Sequence, residues 1–344
     1  MTKPPADMCS LSLEELSRHL VSVGEPAFRA KQVFNWLYVK KATSFDAMSS
    51  LPKSLRDKLS AGLPFPALSE HSRHRSDDGT VKFLFELHDG QRIETVFIPT
   101  SKRGTLCVSS QAGCKFGCRF CASGIGGFKR NLSTGEIIGQ VLHAMRTAAP
   151  KPITHIVFMG TGEPFDNYDQ VFKAVRLLNH PDGLNIAARR ITISTCGIIP
   201  GIERMAQEGL QVELCVSLHA PDDAVRARLM PVNAKYPLKE LLAVCRRYAE
   251  TTNRQVTFEY ILIKDLTCTK TAAAALARLM KGWLSKVNLI RYNPVSEFTC
   301  QAPSMDEARV FQAALESAGV VCTLRSARGD DVSAACGQLR NKRS

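Results

Sequence analysis

The sequence predicts an α/β chain: a partial (β/α)6-type barrel preceded by a small N-terminal helical module and a β-hairpin. Three observations predict it. Apolar residues recur at helical spacing over residues 10–60, they alternate strictly from residue 81, and from about residue 104 short β-rich runs take turns with amphipathic helices. The boundaries follow as a helical module over 1–70, a β-hairpin linker region over 71–103 and a barrel core over 104–344.

In the module, Ser12 and Glu15 form a capping box, after which Leu13, Leu16 and Leu20 fall on one face. "EPAFRAKQVFNWLYVKK" repeats the stripe with Ala30, Val33 and Leu37, and "SLPKSLRDKLSAGL" makes a third helix. In "TVKFLFELHDGQRIETVFIP", Val81, Phe83, Phe85 and Leu87 alternate, the chain turns at Asp89–Gly90, and the strand pattern resumes at Ile93. The barrel strands are "TLCVSS", "THIVFMG", "RRITIST", "QVELCVSLHA", "QVTFEYILI", "KVNLIRYNP" and "VVCTLRS". Capping boxes at Ser133/Glu136 and Ser304/Glu307 start two of the helices between them. Such alternation implies parallel βαβ units, and barrels of this kind do chemistry at the C-terminal ends of their strands.

A chain of 344 residues can bury a large core, as one large domain or two. Its 45 Lys plus Arg against 32 Asp plus Glu give +13, which suits a polyanionic partner, RNA or DNA. The basic residues are scattered, so they describe a surface and not a disordered arm. No apolar stretch is long enough to cross a membrane and no leader precedes the first helix, so no membrane association is expected. With 12 cysteines, a reducing cytoplasm is the expected setting, where thiols serve as ligands, catalysts or core residues.

Three of those cysteines, Cys114, Cys118 and Cys121, lie close together in "QAGCKFGCRFCASG", after the first barrel strand. Thiolates at this spacing suit zinc or iron–sulfur. A structural zinc site wants four closed ligands, and no second cysteine pair follows. Glycines 113, 117, 124, 126 and 127 let the loop fold around something bulky. Three thiolates on a cubane of four irons would leave one iron open to a substrate.

CxxxCxxC with Phe120 before the last cysteine resembles the radical S-adenosylmethionine (SAM) superfamily, in which SAM chelates the open iron and is split to a 5′-deoxyadenosyl radical. "FMGTGEP" at the second strand end resembles that superfamily's SAM-amino motif. More of the chain is similar to the RlmN/Cfr family of RNA adenine methyltransferases: "RRITISTCGIIPGI", "CVSLHAP", "LMPVN", "VNLIRYNP" and "GDDVSAACGQL" all match. Spacing alone leaves Cys336 and Cys107 open between core thiols and functional ones.

The resemblance implies roles. Cys114, Cys118 and Cys121 would hold one 4Fe–4S cluster. Gly162, Glu163, Ser194, Ser217, Leu218, His219 and Asn293 would contact SAM. Cys336 would carry a methyl group, Cys107 would resolve the adduct, and Glu94 would accept a proton. Two SAM molecules would be used per turnover, one to methylate Cys336 and one to generate the radical that activates that S-methyl. The carbon radical would add to carbon 2 or 8 of an adenine in 23S ribosomal RNA, with transfer RNA a further candidate. A transient disulfide between Cys107 and Cys336 would then release the base. A flavodoxin or ferredoxin would supply the electron. Thr161 stands where the family pattern has methionine. "ISTCGIIP", "RLMPVN" and "LIRYNP" lean toward carbon 8, and "RGDDVSAACGQL" leans toward carbon 2. The rivals are another radical SAM enzyme lacking the two-thiol mechanism and a non-catalytic metal-bearing RNA-binding module.

Overall fold

A computed structural model describes residues 7–66, 68–147, 151–325 and 328–339. Three helices come first: α1 Leu13–Ser22, α2 Arg29–Phe34, which widens into a π-helical turn over Asn35–Val39, and α3 Lys53–Gly62. The Ser12/Glu15 capping box forms in both directions. Leu16, Leu20, Ala30, Val33 and Leu37 are buried, as the stripe requires.

Strands β1 Leu68–Arg75, β2 Val81–Leu87 and β3 Arg92–Pro99 are antiparallel to their neighbours. The sequence pattern showed only the last two. β1 reads LSEHSRHR, so its alternation carries almost no apolar residues and gives no signal. It begins at Leu68, inside the span assigned to the helical module. Nor is the hairpin a linker: β3 pairs with β4 Gly104–Cys107, which makes these strands an extension of the barrel sheet.

After β4, a two-stranded pair, β5 Gln111–Ala112 and β6 Arg130–Asn131, brackets the three-cysteine loop. Then come α4 Thr134–Thr147, β7 Ile153–Phe158, α5 Tyr168–Asn179, β8 Ile191–Thr195, α6 Ile199–Ala206 and β9 Glu213–Ser217. They are followed by α7 Asp223–Leu229, α8 Leu238–Thr252, β10 Val256–Leu262, α9 Lys270–Met280, β11 Ser285–Arg291, α10 Met305–Ser317 and β12 Cys322–Arg325. The sheet order is β1-β2-β3-β4-β7-β8-β9-β10-β11-β12, parallel from β4 onward, with both ends open. This is a partial barrel, as the alternation predicted. All seven barrel runs became its strands.

One apolar core runs through both parts of the chain. Phe34 and Leu59 of the helices belong to the same buried cluster as Phe83, Ile156 and Phe258 of the sheet. Polar ties reinforce the join: Ser10 Oγ accepts from Gly135 N at 2.9 Å, and Lys173 pairs with Glu15 at 2.7 Å. The helices therefore brace the barrel wall, and the strand ends are left to build the site.

Candidate active site

The C-terminal strand ends surround a cavity of about 160 Å³. Its wall includes Cys114, Cys118 and Cys121, with Gly162, Glu163, Ser194, Ser217, His219 and Cys336. The three-cysteine loop reaches this position through a close backbone approach. Gly113 has φ +76°, and a Cβ there would lie 1.9 Å from the carbonyl oxygen of Gly127. Only glycine fits.

Burial pushes all three thiols up, Cys114 to about 12, and for each a neighbouring cysteine adds to the rise. Left alone they would stay protonated. A positive centre among them reverses this, because coordination deprotonates a thiol outright. Among the described residues, no three His, Cys, Asp or Glu are gathered tightly enough for a single metal ion. Three separated soft donors on one cavity wall fit a polynuclear iron–sulfur group, one thiolate to an iron.

Glu163 lines the same cavity. Its carboxylate accepts from Phe165 N at 3.0 Å and Cys196 N at 2.7 Å, and burial raises its pKa. A ligand cation would be welcome beside it. At Thr161 the chain departs from the family pattern, but its backbone is well used: its carbonyl accepts from Ser110 N at 3.0 Å and Gln111 N at 3.1 Å.

His219 has a left-handed backbone (φ 60°) and is buried. Its Nδ1 accepts from Ile261 N at 3.1 Å, which puts the proton on Nε2. Burial, with Arg226 adding, holds its pKa near about 3, so the ring is a neutral donor. Its ring packs edge-on against Phe120 at 4.6 Å.

Two of the expected SAM contacts are not on this wall. Leu218 buries its side chain in the main core. A leucine at a strand end has no polar reason to face the cavity; its backbone N–H donates to Glu259 O at 3.0 Å instead. Asn293 donates from Nδ2 to Cys336 O at 3.0 Å, so it holds the loop that carries that cysteine.

Cys336 is exposed and faces the three-thiol cavity. Cys107, at the end of β4, is buried in a small apolar cluster with Val96, Ala334 and Leu339. Burial raises its thiol to about 12, with Cys336 the next cause. The fold thus brings residues 229 positions apart into electrostatic reach. The 334–339 segment is held by Ala122 N to Gly337 O at 2.7 Å and Ser123 Oγ to Leu339 O at 2.9 Å.

Glu94 lies elsewhere. It helps line a second cavity of about 230 Å³ with Lys82, Ser333 and Gln338. The segment 333–338 therefore contributes to both cavities, Cys336 and Gly337 to one and Ser333 and Gln338 to the other.

Three functional candidates escaped the sequence reading. Arg226, wholly buried, donates to Cys196 O at 2.9 Å, Leu218 O at 3.2 Å and Asn233 Oδ1 at 2.7 Å, tying together the loops after β8 and β9. It lies just before "LMPVN", but an arginine on a helix reads as surface. Glu259 accepts from Cys215 Sγ and Asn288 Nδ2, both at 3.1 Å, with Arg325 at 3.7 Å. A glutamate inside the apolar run "QVTFEYILI" was the available signal. Arg325 itself closes the last strand and lines the thiol cavity.

Among the described residues no helix is long and apolar enough to cross a membrane. Residues 108–268 match the radical SAM superfamily, and residues 6–63 match the ribosomal RNA large subunit methyltransferase N-terminal domain. A probable dual-specificity RNA methyltransferase RlmN from Symbiobacterium thermophilum is 47% identical over 96% of this chain and 90% of its own length. One of the same description from Geobacillus kaustophilus is 46% identical over 99% of this chain and 94% of its own. The crystal structure of a radical SAM methyltransferase from Sphaerobacter thermophilus superposes with a TM-score of 0.96 at 47% identity, covering 98% of this chain and 99% of that one.

Proposed function

The chain belongs to the RlmN family of radical SAM RNA methyltransferases, and on that premise we propose that it methylates carbon 2 of an adenine in 23S ribosomal RNA, and of transfer RNA as well, through a methylated Cys336. It is a SAM-dependent RNA methyltransferase; the target carbon, the RNAs and the residue roles are our reading. The relatives' description as dual-specificity RlmN enzymes supports two RNA substrates and the RlmN-like choice of carbon.

One observation carries the reading. Cys336 faces the cavity of the three thiols, while its flanking residues Ala334 and Leu339 pack on Cys107. A thiol that carries a methyl group needs one neighbour to load and activate it and another to release it.

Cys114, Cys118 and Cys121 would hold the 4Fe–4S cluster, and Glu163, Ser194, Ser217 and His219 would hold SAM. Gly162 would let its backbone approach closely, and Asn293 would fix the carrier loop. Leu218 would act only through its backbone. When bound, the cluster and SAM supply a 5′-deoxyadenosyl radical, a hydrogen abstractor strong enough for an S-methyl group.

The chain's own residues do the rest. Cys336 presents its sulfur for methylation and then keeps the carbon beside the base. Adenine carbon 2 is not nucleophilic, so a carbon tethered to Cys336 is needed to reach it. The adduct radical would return its surplus electron to the bound iron–sulfur cluster, and Glu94 would take the ring proton. Cys107 attacks the sulfur of Cys336: an S–S bond forms, the S–C bond breaks, and the electron pair goes to the carbon, which takes up the proton lost by the Cys107 thiol and becomes the methyl. Two electrons from a cytoplasmic thiol reductant reopen the disulfide. A flavodoxin or ferredoxin supplies the electron for the cluster. The scattered cations hold RNA phosphates, and the target base is splayed out to enter.

The test is nucleoside analysis of 23S ribosomal RNA and transfer RNA after incubation with anaerobically reconstituted enzyme, SAM and a reductant. The expected product is 2-methyladenosine in both. Finding 8-methyladenosine, or methyl on a ring nitrogen or ribose oxygen, would contradict the proposal.

A further inference from the structure

We propose that Lys82 is a positioning residue that sets the proton-accepting carboxylate of Glu94 and the Cys336 loop as one unit. The inference rests on the roles given above to Glu94 and Cys336.

Strand alternation fixes the geometry. On β2, Val81, Phe83, Phe85 and Leu87 turn into the core, so Lys82 and Leu84 face the other way. On β3, Glu94 and Val96 share that outward face. Lys82 is opposite Val96 and Leu84 opposite Glu94, which leaves Lys82 and Glu94 as diagonal neighbours. The Cys336 loop covers this face, where Val96 packs with Ala334 and Leu339.

Under that cover, Lys82 Nζ lies 3.3 Å from Glu94 Oε1 and donates to Ser333 O at 3.2 Å. Only 13% of the Lys82 side chain and 7% of the Glu94 side chain remain accessible. A pair this covered is not a solvated surface pair, and losing one partner leaves a costly charge. Ser333 takes a left-handed backbone at the point of contact (φ 50°), a conformation that needs outside support in a non-glycine residue.

Lys82 belongs to a larger grip. The turn between β1 and β2 seizes the loop a few residues earlier. Ser76 Oγ donates to Asp331 Oδ1 at 2.6 Å, Gly329 N donates to Asp78 Oδ2 at 3.1 Å, and Arg328 lies 3.7 Å from Asp78. Gly329 has φ +63° and comes so close that a Cβ there would meet Thr80 Cγ2 at 2.8 Å. The antiparallel strands β1–β3, which are no part of the parallel barrel, thus dock the loop. Among these contacts, Lys82 is the one that reaches both the loop and Glu94.

The test compares K82M, K82Q and K82R with the parent protein. In the protein without cluster or SAM, the readout is the rate at which iodoacetamide alkylates Cys336. K82M and K82Q should react faster, because the loop has lost a tie, and K82R should match the parent. In the reconstituted enzyme, methyl loading of Cys336 should persist in all three, read by peptide mass. RNA methylation should fall about 100-fold in K82M and K82Q, the order of a misplaced general base, with adduct retained on the protein. K82R should restore it. Parent-like alkylation and turnover in K82M and K82Q overturns the inference, as does equal impairment in K82R. If the parent itself neither loads Cys336 nor methylates RNA, the functional reading fails instead, and the alkylation comparison still decides whether Lys82 holds the loop.

Discussion

Replacing Cys107 by alanine should leave the protein covalently joined to its RNA. On the proposed mechanism the bond between Cys336 and the target base forms without Cys107, since the residues proposed to load and activate Cys336 line a cavity that Cys107 does not. Breaking that bond requires a second thiol at the sulfur of Cys336. Cys107 is packed with Ala334 and Leu339, on either side of Cys336. The substitution removes a nucleophile instead of tuning one, so release should slow by more than about 10³-fold. The loss of bulk is modest at the edge of a small cluster, and the fold should survive it. Digestion and mass spectrometry should find nucleotide on the peptide containing Cys336. Free enzyme with no retained nucleotide would remove Cys107 from the mechanism.

The Cys336→Ala variant should behave in the opposite way. It should load no methyl group, form no adduct and methylate no RNA, a loss of more than about 10³-fold. It should nevertheless keep its cluster, because Cys336 is outside the CxxxCxxC loop. Structural damage should be slight: the side chain is exposed, and the anchor to Asn293 runs through the backbone carbonyl of residue 336. RNA methylation near the parent rate would favour a radical SAM enzyme without a methyl-carrying thiol. The double variant lacking both thiols should match Cys336→Ala, since nothing then needs resolving.

The barrel was legible in the sequence because parallel strands buried on both faces read as apolar β-branched runs, and because Ser133/Glu136 and Ser304/Glu307 announce helix starts. The three-cysteine loop was legible because its spacing is local. Strand β1 was not, since it is held by backbone pairing to β2 and not by apolar side chains. The grip on the Cys336 loop was hidden for another reason. Ser76 meets Asp331 across 255 positions, and nothing local in "SDDGT" distinguishes a clamp from an ordinary turn. Leu218 shows how a motif can place a residue without orienting it: the stretch "VSLHA" does reach the cavity, through Ser217 and His219, while the leucine between them turns inward. Arg226 and Glu259 are charged residues in apolar surroundings, which sequence reading takes for surface or strand positions until the partners are seen.

The most direct test of the account is what the protein does to SAM. Anaerobically reconstituted and reduced, it should bind a 4Fe–4S cluster through Cys114, Cys118 and Cys121 and release 5′-deoxyadenosine. A single tetrahedral zinc at those cysteines, or a reduced iron–sulfur protein that releases no 5′-deoxyadenosine, would contradict it.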